Sequence, residues 1–257
     1  MLLNRFLIAF FVLFIHSYVF ASERVIHFGL SDSDAPLSSN INMTNKVTGL
    51  FPELLKLIFQ YIPEHQLELS AYPWARSQLL VENGELDGLL TYPSNKMKPY
   101  VIFTKKPNYI QDYGYLIFHK GNLKSMQIKR SKSFDDLSGL TVVLENGSGW
   151  ETDNIPTFLN NVKGNDTDMM MHLLLLRRAG DFLVMPPEVA KYIASKFSYE
   201  EDLSYTKVEY INDSLIPFHV GLSKKLPGNK ALIKKIESVM INPDYLQKKV
   251  DLVERYR

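Results

Sequence analysis

Apolar and polar residues follow two different spacings along this chain. Short β-rich windows such as 24–30 (RVIHFGL) and 67–71 precede windows whose apolar residues recur every three or four positions, as in 49–62. The first pattern is typical of strands, and the second is typical of a helix with one buried face. Pro52 falls near the start of the first predicted helix, where its missing N–H costs nothing. The chain is therefore predicted to alternate strands with helices.

Two such series follow one another. The first has the predicted elements 24–30, 49–62, 67–71, 75–83 and 86–91, in the order β-α-β-α-β. The second has predicted strands at 113–118, 140–145, 182–185 and 218–222, with helices at 168–179 and 188–197, before a charged helical segment at 230–256. This alternation predicts mainly parallel sheets covered by helices. Because no low-complexity linker separates the series, we expect two lobes joined by crossing strands, with a cleft between them.

The N-terminal residues form a segment of a different kind. One positive charge, Arg5, precedes ten apolar residues at 6–15. Val19 and Ala21 are small residues at the third and the first position before a possible cleavage site. A charged N terminus, a short apolar segment and small residues before the cleavage site are typical of a secretory signal peptide. We predict cleavage after Ala21, a mature chain beginning at Ser22, and a location in the periplasm. An uncleaved N-terminal anchor is the alternative.

The composition narrows the classes of function. The chain has 29 Lys and Arg residues, one of them in the predicted signal peptide, and 28 Asp and Glu residues. This balance argues against nucleic acid or an acidic membrane surface as the main partner. The chain has no Cys, which excludes disulfides and thiolate metal sites, and its six His residues show no paired metal-ligand spacing. We therefore predict neither a metal nor a cofactor.

Short motifs stand in a definite order along both series. They are YPWAR at 72–76, GELDG at 84–88, FTKKP at 103–107, FDDLSGLTV at 134–142, RAGDF at 178–182 and GLSKK at 221–225. Together they resemble the motifs of the family 3 extracellular solute-binding proteins, the amino-acid-type periplasmic binding proteins of ABC importers. The likeness covers nearly the whole chain after the predicted signal peptide.

The resemblance implies an α/β fold of the periplasmic binding protein-like type II class, with two lobes joined by a two-strand hinge. The implied boundaries are a signal peptide at 1–21, lobe 1 at 22–110 and 222–257, and lobe 2 at 111–221, with crossings near Gln111 and Leu222. Such lobes close over bound ligand by hinge bending. The implied function is capture of a small molecule by a monomer that serves an ABC permease or a membrane sensor protein.

The ends of the predicted strands locate the candidate site, because open α/β sheets bind ligands beyond the carboxyl ends of their strands. The candidate ligand-binding residues are Asp32, Asp34, Trp74, Arg76, Thr91, Tyr92, Ser94, Lys96, Lys98, Gly147, Ser148, Trp150, Met185 and Glu188. None of them is assigned a catalytic role.

Arg76 is the strongest predicted anchor, since a guanidinium matches a carboxylate with two parallel hydrogen bonds. The alternative is a surface Arg paired with Glu82 or Glu85. Trp74 is interpreted either as a flat wall of the cleft or as part of the core of its lobe. The same two interpretations hold for Trp150.

The chain departs from the family pattern at three anchors. Where amino-acid binders of the family carry an aromatic residue, an Arg for the α-carboxylate and an Asp for the α-amino group, this chain has Asp34, a stretch with Lys96 and Lys98, and Pro186. The turn at Gly147 offers backbone N–H groups that suit an anion. We therefore expect a donor-rich cleft with Asp32 and Asp34 at one end. The expected ligand is small, polar and amino-acid-like, with an acidic group and a distant amine or ring for Trp74 and the aspartates, rather than a standard amino acid.

Two other functions are kept as alternatives. The same scaffold serves cyclohexadienyl-dehydratase-type enzymes, which need a general acid or base in the cleft. The available acids are Asp32, Asp34, Glu145 and Glu188. The other alternative is a degenerate module that binds a partner protein and no small ligand.

Overall fold

The computed structural model describes residues 24–40 and 47–256, so the predicted signal peptide lies outside the described residues. Lobe 1 begins with β1 (Arg24–Ser31), β2 (Ser33–Asp34), β3 (Ser38–Asn40), β4 (Val47–Thr48), α1 (Leu50–Phe59), β5 (His65–Tyr72), α2 (Trp74–Asn83), β6 (Gly88–Thr91), β7 (Val101–Phe103) and β8 (Tyr109–Asp112). Lobe 2 comprises β9 (Tyr115–His119), α3 (Ser125–Arg130), β10 (Thr141–Glu145), α4 (Gly149–Asn154), β11 (Asn160–Gly164), α5 (Thr167–Met171), β12 (Leu183–Val184), α6 (Pro187–Lys196) and β13 (Leu203–Lys207). The chain returns to lobe 1 through β14 (Leu215–Ser223), α7 (Asn229–Met240) and α8 (Pro243–Glu254). Among the described residues, no helix combines the length and the apolar character that crossing a membrane requires.

Lobe 1 is built on a six-stranded sheet in the order β5-β1-β6-β14-β7, with β8 paired to β14. β1 runs parallel to β5 and β6, whereas β14 runs antiparallel to β6, β7 and β8. All four residues of β6 are buried, as expected for a central strand covered by helices on both faces. α1 supplies much of that cover, since Leu54, Leu55 and Ile58 are fully buried at the spacing of one helix face.

Lobe 2 has a smaller mixed sheet. β9 pairs antiparallel with β12 and β13, and β10 pairs parallel with β11. A parallel bridge between Val142 and Phe182 joins these two groups of strands. The core of the lobe packs α5 and α6 against this sheet, with Met171, Leu174 and Ile193 almost completely buried.

Two antiparallel segments connect the lobes. Gln111 in β8 lies opposite Ile216 in β14, and β14 then joins the large sheet at His219, which pairs with Thr91. Leu222, where the chain is predicted to return to lobe 1, pairs with Gly88 in the large sheet. The sequence pattern of 218–222 marks only the buried part of β14, while the strand itself begins earlier and forms the return crossing.

Candidate functional site

A cavity of about 90 Å³ lies between the two lobes, at the carboxyl ends of β1, β6 and β10. Lobe 1 and its connecting strands line it with Leu30, Ser31, Asp34, Ser38, Phe51, Trp74, Leu90, Thr91, Tyr92, Met97, Tyr113, Ile216 and Phe218. Lobe 2 lines it with Glu145, Ser148, Gly149, Trp150, Glu151, Thr167, Met170, Val184 and Met185. Both lobes therefore contribute to one cavity.

The lobes contact each other directly around this cavity. The Thr167 hydroxyl donates a hydrogen bond to the Ser33 carbonyl, and the Gln78 side-chain amide donates to the Gly147 carbonyl at 2.9 Å. A Cβ placed on Gly149 would lie 2.4 Å from the Cβ of Ser94, so the two lobes meet there at a distance that only a glycine allows. The structure is thus the closed arrangement of the two lobes.

The structure brings half of the sequence-predicted site residues to the cavity. Those that line it are Asp34, Trp74, Thr91, Tyr92, Ser148, Trp150 and Met185. Ser94 and Gly147 lie instead at the contact between the lobes. Asp32 accepts a hydrogen bond from the neighbouring Ser33 hydroxyl, and Glu188 is exposed on α6.

The predicted cationic anchors lie outside the cavity. Arg76 is exposed, and its guanidinium carbon stands 5.5 Å from the centre of the Tyr72 ring. Since helix residues turn by about 100° each, Arg76 points away from the side of α2 on which Trp74 faces the cavity. Lys96 and Lys98 are exposed on either side of Met97, which is the residue that turns inward. This cavity therefore does not bring the three cations together, and their role in ligand binding stays a prediction.

The cavity carries acidic groups instead. Asp34, Glu145 and Glu151 line it, and no Lys, Arg or His within residues 24–40 and 47–256 does so. Burial raises the pKa of the Asp34 carboxyl from 3.8 to about 7, and it raises the pKa of Glu145 well above its ordinary value. The negative charges of Asp34, Glu151 and Asp166 raise the pKa of Glu145 further.

Glu151, in the first turn of α4, places its carboxylate against the end of β10. Its carboxylate accepts a hydrogen bond from the Glu145 backbone N–H at 2.7 Å. Its own N–H donates to the Ser148 hydroxyl at 3.3 Å, and the Ser148 N–H donates to the Glu145 carbonyl. Burial raises the pKa of Glu151 to about 8, although hydrogen bonds with the Glu145 backbone and the Ser148 side chain and the charge of Lys163 lower it. Within the turn before α4, the Ser148 N–H is used inside the chain, and the anion site at Gly147 stays a prediction.

Aromatic rings form much of the remaining wall. Trp150 is 4% exposed, and its ring centre lies 5.3 Å from that of Tyr113. Its indole N–H donates a long hydrogen bond to the Asp213 carbonyl at 3.4 Å. Trp74 keeps part of its surface open to the cavity from the opposite lobe. Both tryptophans therefore face the cavity and also pack within their own lobes.

Sequence reasoning missed Tyr113, Glu151 and Thr167, and it considered Glu145 only as a possible acid for an enzyme. Glu145 is the last residue of β10, so the same strand-end rule that selected Thr91 identifies it as well. Glu151 lies inside a helix, and no local pattern marks it. No three His, Cys, Asp or Glu side chains of the described chain are arranged to hold a metal ion.

No family model matches this chain, and no curated protein matches it in sequence. Solved structures with the same fold include the substrate-binding protein of an amino acid ABC transporter, at 19% identity and a TM-score of 0.71, over 90% of this chain and 98% of that one. Another is the amino acid ABC transporter substrate-binding protein AbpA from Streptococcus pneumoniae bound to L-arginine, at 19% identity and a TM-score of 0.71, over 90% and 94%. A third is a histidine kinase sensor domain similar to periplasmic binding proteins, at 15% identity and a TM-score of 0.71, over 91% and 96%. These matches confirm the predicted fold class, periplasmic binding protein-like.

Proposed function

We propose that this protein is a periplasmic solute-binding protein that captures a small polar molecule between its two lobes. The observation that carries the proposal is the interlobe cavity, which both lobes line at the carboxyl ends of their strands. Ligand held there contacts both lobes at once, so that its binding free energy stabilises the closed arrangement.

The connection between the lobes suits such closure. Along the described part of the chain, β8 and the first half of β14 link the lobes, and they pair with each other through four residue pairs from Leu215–Asp112 to Phe218–Tyr109. A short two-strand link concentrates the backbone rotation of opening at a few residues. The contacts through Thr167 and Gln78 are then made in the closed arrangement and broken in the open one.

The role served by this capture is either delivery to an ABC permease or presentation to a membrane sensor. Proteins of this fold include both a transporter's binding protein and a kinase sensor domain. Permease and ATPase genes beside the coding gene would support transport, and a kinase or cyclase gene would support sensing.

Ligand binding is tested by thermal unfolding of the mature chain against amino acids, amines, dicarboxylates and sugars. A ligand at one hundred times its Kd stabilises the folded protein by about 2.7 kcal/mol. At roughly 2–4 °C per kcal/mol for a chain of this size, the unfolding temperature should rise by about 5–10 °C. Small-angle scattering with the same ligand should show a smaller radius of gyration. If no compound shifts the unfolding temperature or the radius, the proposal is wrong.

A dehydratase-like enzyme is the second candidate. The raised pKa values of Asp34 and Glu151, about 7 and about 8, favour it, because a general acid works best with a pKa near the working pH. Prephenate, however, carries two carboxylates, and no basic side chain of the described residues lines this cavity to balance them. Turnover of prephenate or arogenate by the purified protein would establish the enzyme and replace the binding function.

A further inference from the structure

We infer that the cavity binds a small organic cation that carries N–H donors and no carboxylate. The inference rests on the proposed function and names the ligand class of the same site. Its basis is the set of side chains that line the cavity, namely three carboxyls, hydroxyls and aromatic rings.

The charge of the cavity wall is the first argument. Asp34 comes from lobe 1, whereas Glu145 and Glu151 come from lobe 2, and all three line the cavity. No basic side chain of the described residues lines the cavity to balance them. Closing the lobes over these groups without a cation either buries uncompensated negative charge or forces the carboxyls to take up protons. A bound cation supplies the missing opposite charge.

Hydrogen-bonding capacity is the second argument. No hydrogen bond contributes to the pKa of the Asp34 or Glu145 carboxyl, and both side chains line the cavity. Thr91, which is 7% exposed, lines it as well. A ligand in the cavity can therefore pair with these oxygen atoms. Carboxylates only accept hydrogen bonds, and an ammonium or guanidinium group supplies the donors.

The aromatic side chains are the third argument. Trp74, Tyr92, Tyr113 and Trp150 line the same cavity as the carboxyls. The faces of such rings attract organic cations, most strongly when the site excludes water. A hydrated metal ion gains little from these rings, whereas the alkyl part of an amine packs against them.

A carboxylate on the ligand finds no basic side chain among the described residues that line the cavity. Arg76, Lys96 and Lys98 are exposed and outside the lining. The Glu145 N–H at the end of β10 already donates to the carboxylate of Glu151. An added carboxylate would therefore have to be buried beside three acidic side chains without a countercharge.

The test compares amines with the amino acids that differ from them only by a carboxylate. The pairs are ethylamine with L-alanine, 1,4-diaminobutane with L-ornithine, and agmatine with L-arginine, measured by isothermal titration calorimetry on the mature wild-type protein. In the pair that contains the tightest ligand, we expect the amine to bind at least tenfold more tightly. Tighter binding of the amino acid in that pair would overturn the inference, as would tighter binding of Ca²⁺ or Mg²⁺ than of any amine.

Two variants test the residues themselves. Glu145→Gln and Asp34→Asn keep the side-chain shape and remove the charge, so each should weaken amine binding at least tenfold. Glu201→Gln is the matched control, since Glu201 is exposed and distant from the cavity lining, and it should bind as the wild type does. Equal affinities in all three variants would overturn the assignment of the carboxyls.

The outcomes separate this inference from the proposed function. An amino acid or a dicarboxylate could bind and lower the radius of gyration while no amine binds. In that case the inferred ligand class is wrong and the solute-binding function stands. If no compound of any class binds, both are wrong.

Discussion

The buried carboxyls predict that the empty protein opens at neutral to alkaline pH and closes as the solution becomes acidic. In the closed arrangement the pKa of Asp34 is about 7, because burial disfavours its charged form. In an open cleft its carboxyl returns to water and to an ordinary pKa of 3.8. A group whose pKa is higher in the closed form favours closure below its ordinary pKa and opposes closure above the raised one.

The size of this effect follows from the two pKa values of Asp34. Between them, closure takes up one proton, so each pH unit changes the ratio of closed to open protein about tenfold. From pH 8 to pH 5 the ratio therefore rises about a hundredfold, which corresponds to about 2.7 kcal/mol. Glu151, with a pKa raised to about 8, acts in the same direction, as does Glu145, whose pKa is also raised.

Small-angle scattering of the ligand-free mature protein between pH 8 and pH 5 measures this equilibrium. We expect the radius of gyration to fall as the pH falls. Asp34→Asn should be more compact than the wild type at pH 8 and should depend less on pH, because the amide carries no charge. Glu201→Gln should behave as the wild type does. A wild-type protein that is already compact at pH 8, or a radius that does not change with pH, would refute this reasoning.

Further predictions concern the lobe contact and the N terminus. Gly149→Ala places a Cβ 2.4 Å from the Cβ of Ser94, so ligand affinity measured by calorimetry should fall at least tenfold while the unfolding temperature of the empty protein changes little. Thr167→Val removes the hydrogen bond to the Ser33 carbonyl and should weaken ligand binding by about 1 kcal/mol in the same assay. Unchanged affinity in either variant would count against closure at these contacts. N-terminal sequencing of the exported protein should begin at Ser22, and recovery of the intact chain in the membrane fraction would contradict the predicted cleavage.

Much of the fold was predictable because regular elements follow local periodicity. The apolar spacing of 49–62 contains α1, and the β-rich windows at 24–30 and 67–71 match β1 and β5 closely. The missed strand β11 shows the limit of this reasoning. Only Gly164 among its five residues is fully buried, so the strand has no apolar pattern for the sequence to reveal.

Residues of the candidate site were predictable only where a position at the end of a strand is enough to bring the residue to the cavity. Thr91 and Ser148 reach the cavity because they lie at or just beyond the ends of strands, and such ends meet at one edge of a sheet. For a residue in a helix or loop, nearness to the cavity along the chain does not fix the direction in which its side chain points. Arg76 and Lys98 lie within a few residues of the cavity lining and still point to solvent.

The sequence by itself determined the order of strands and helices, the division into two series and the segments that end near the cleft. Periodicity and turn residues act over a few positions, so they can be read without knowing how the lobes meet. Only the tertiary structure decided the charge of the cavity. Asp34 and Glu145 are more than a hundred positions apart and share one wall only because the lobes close on each other. The electrostatic character of the site depends on that closure, because charges interact through space and burial strengthens the interaction.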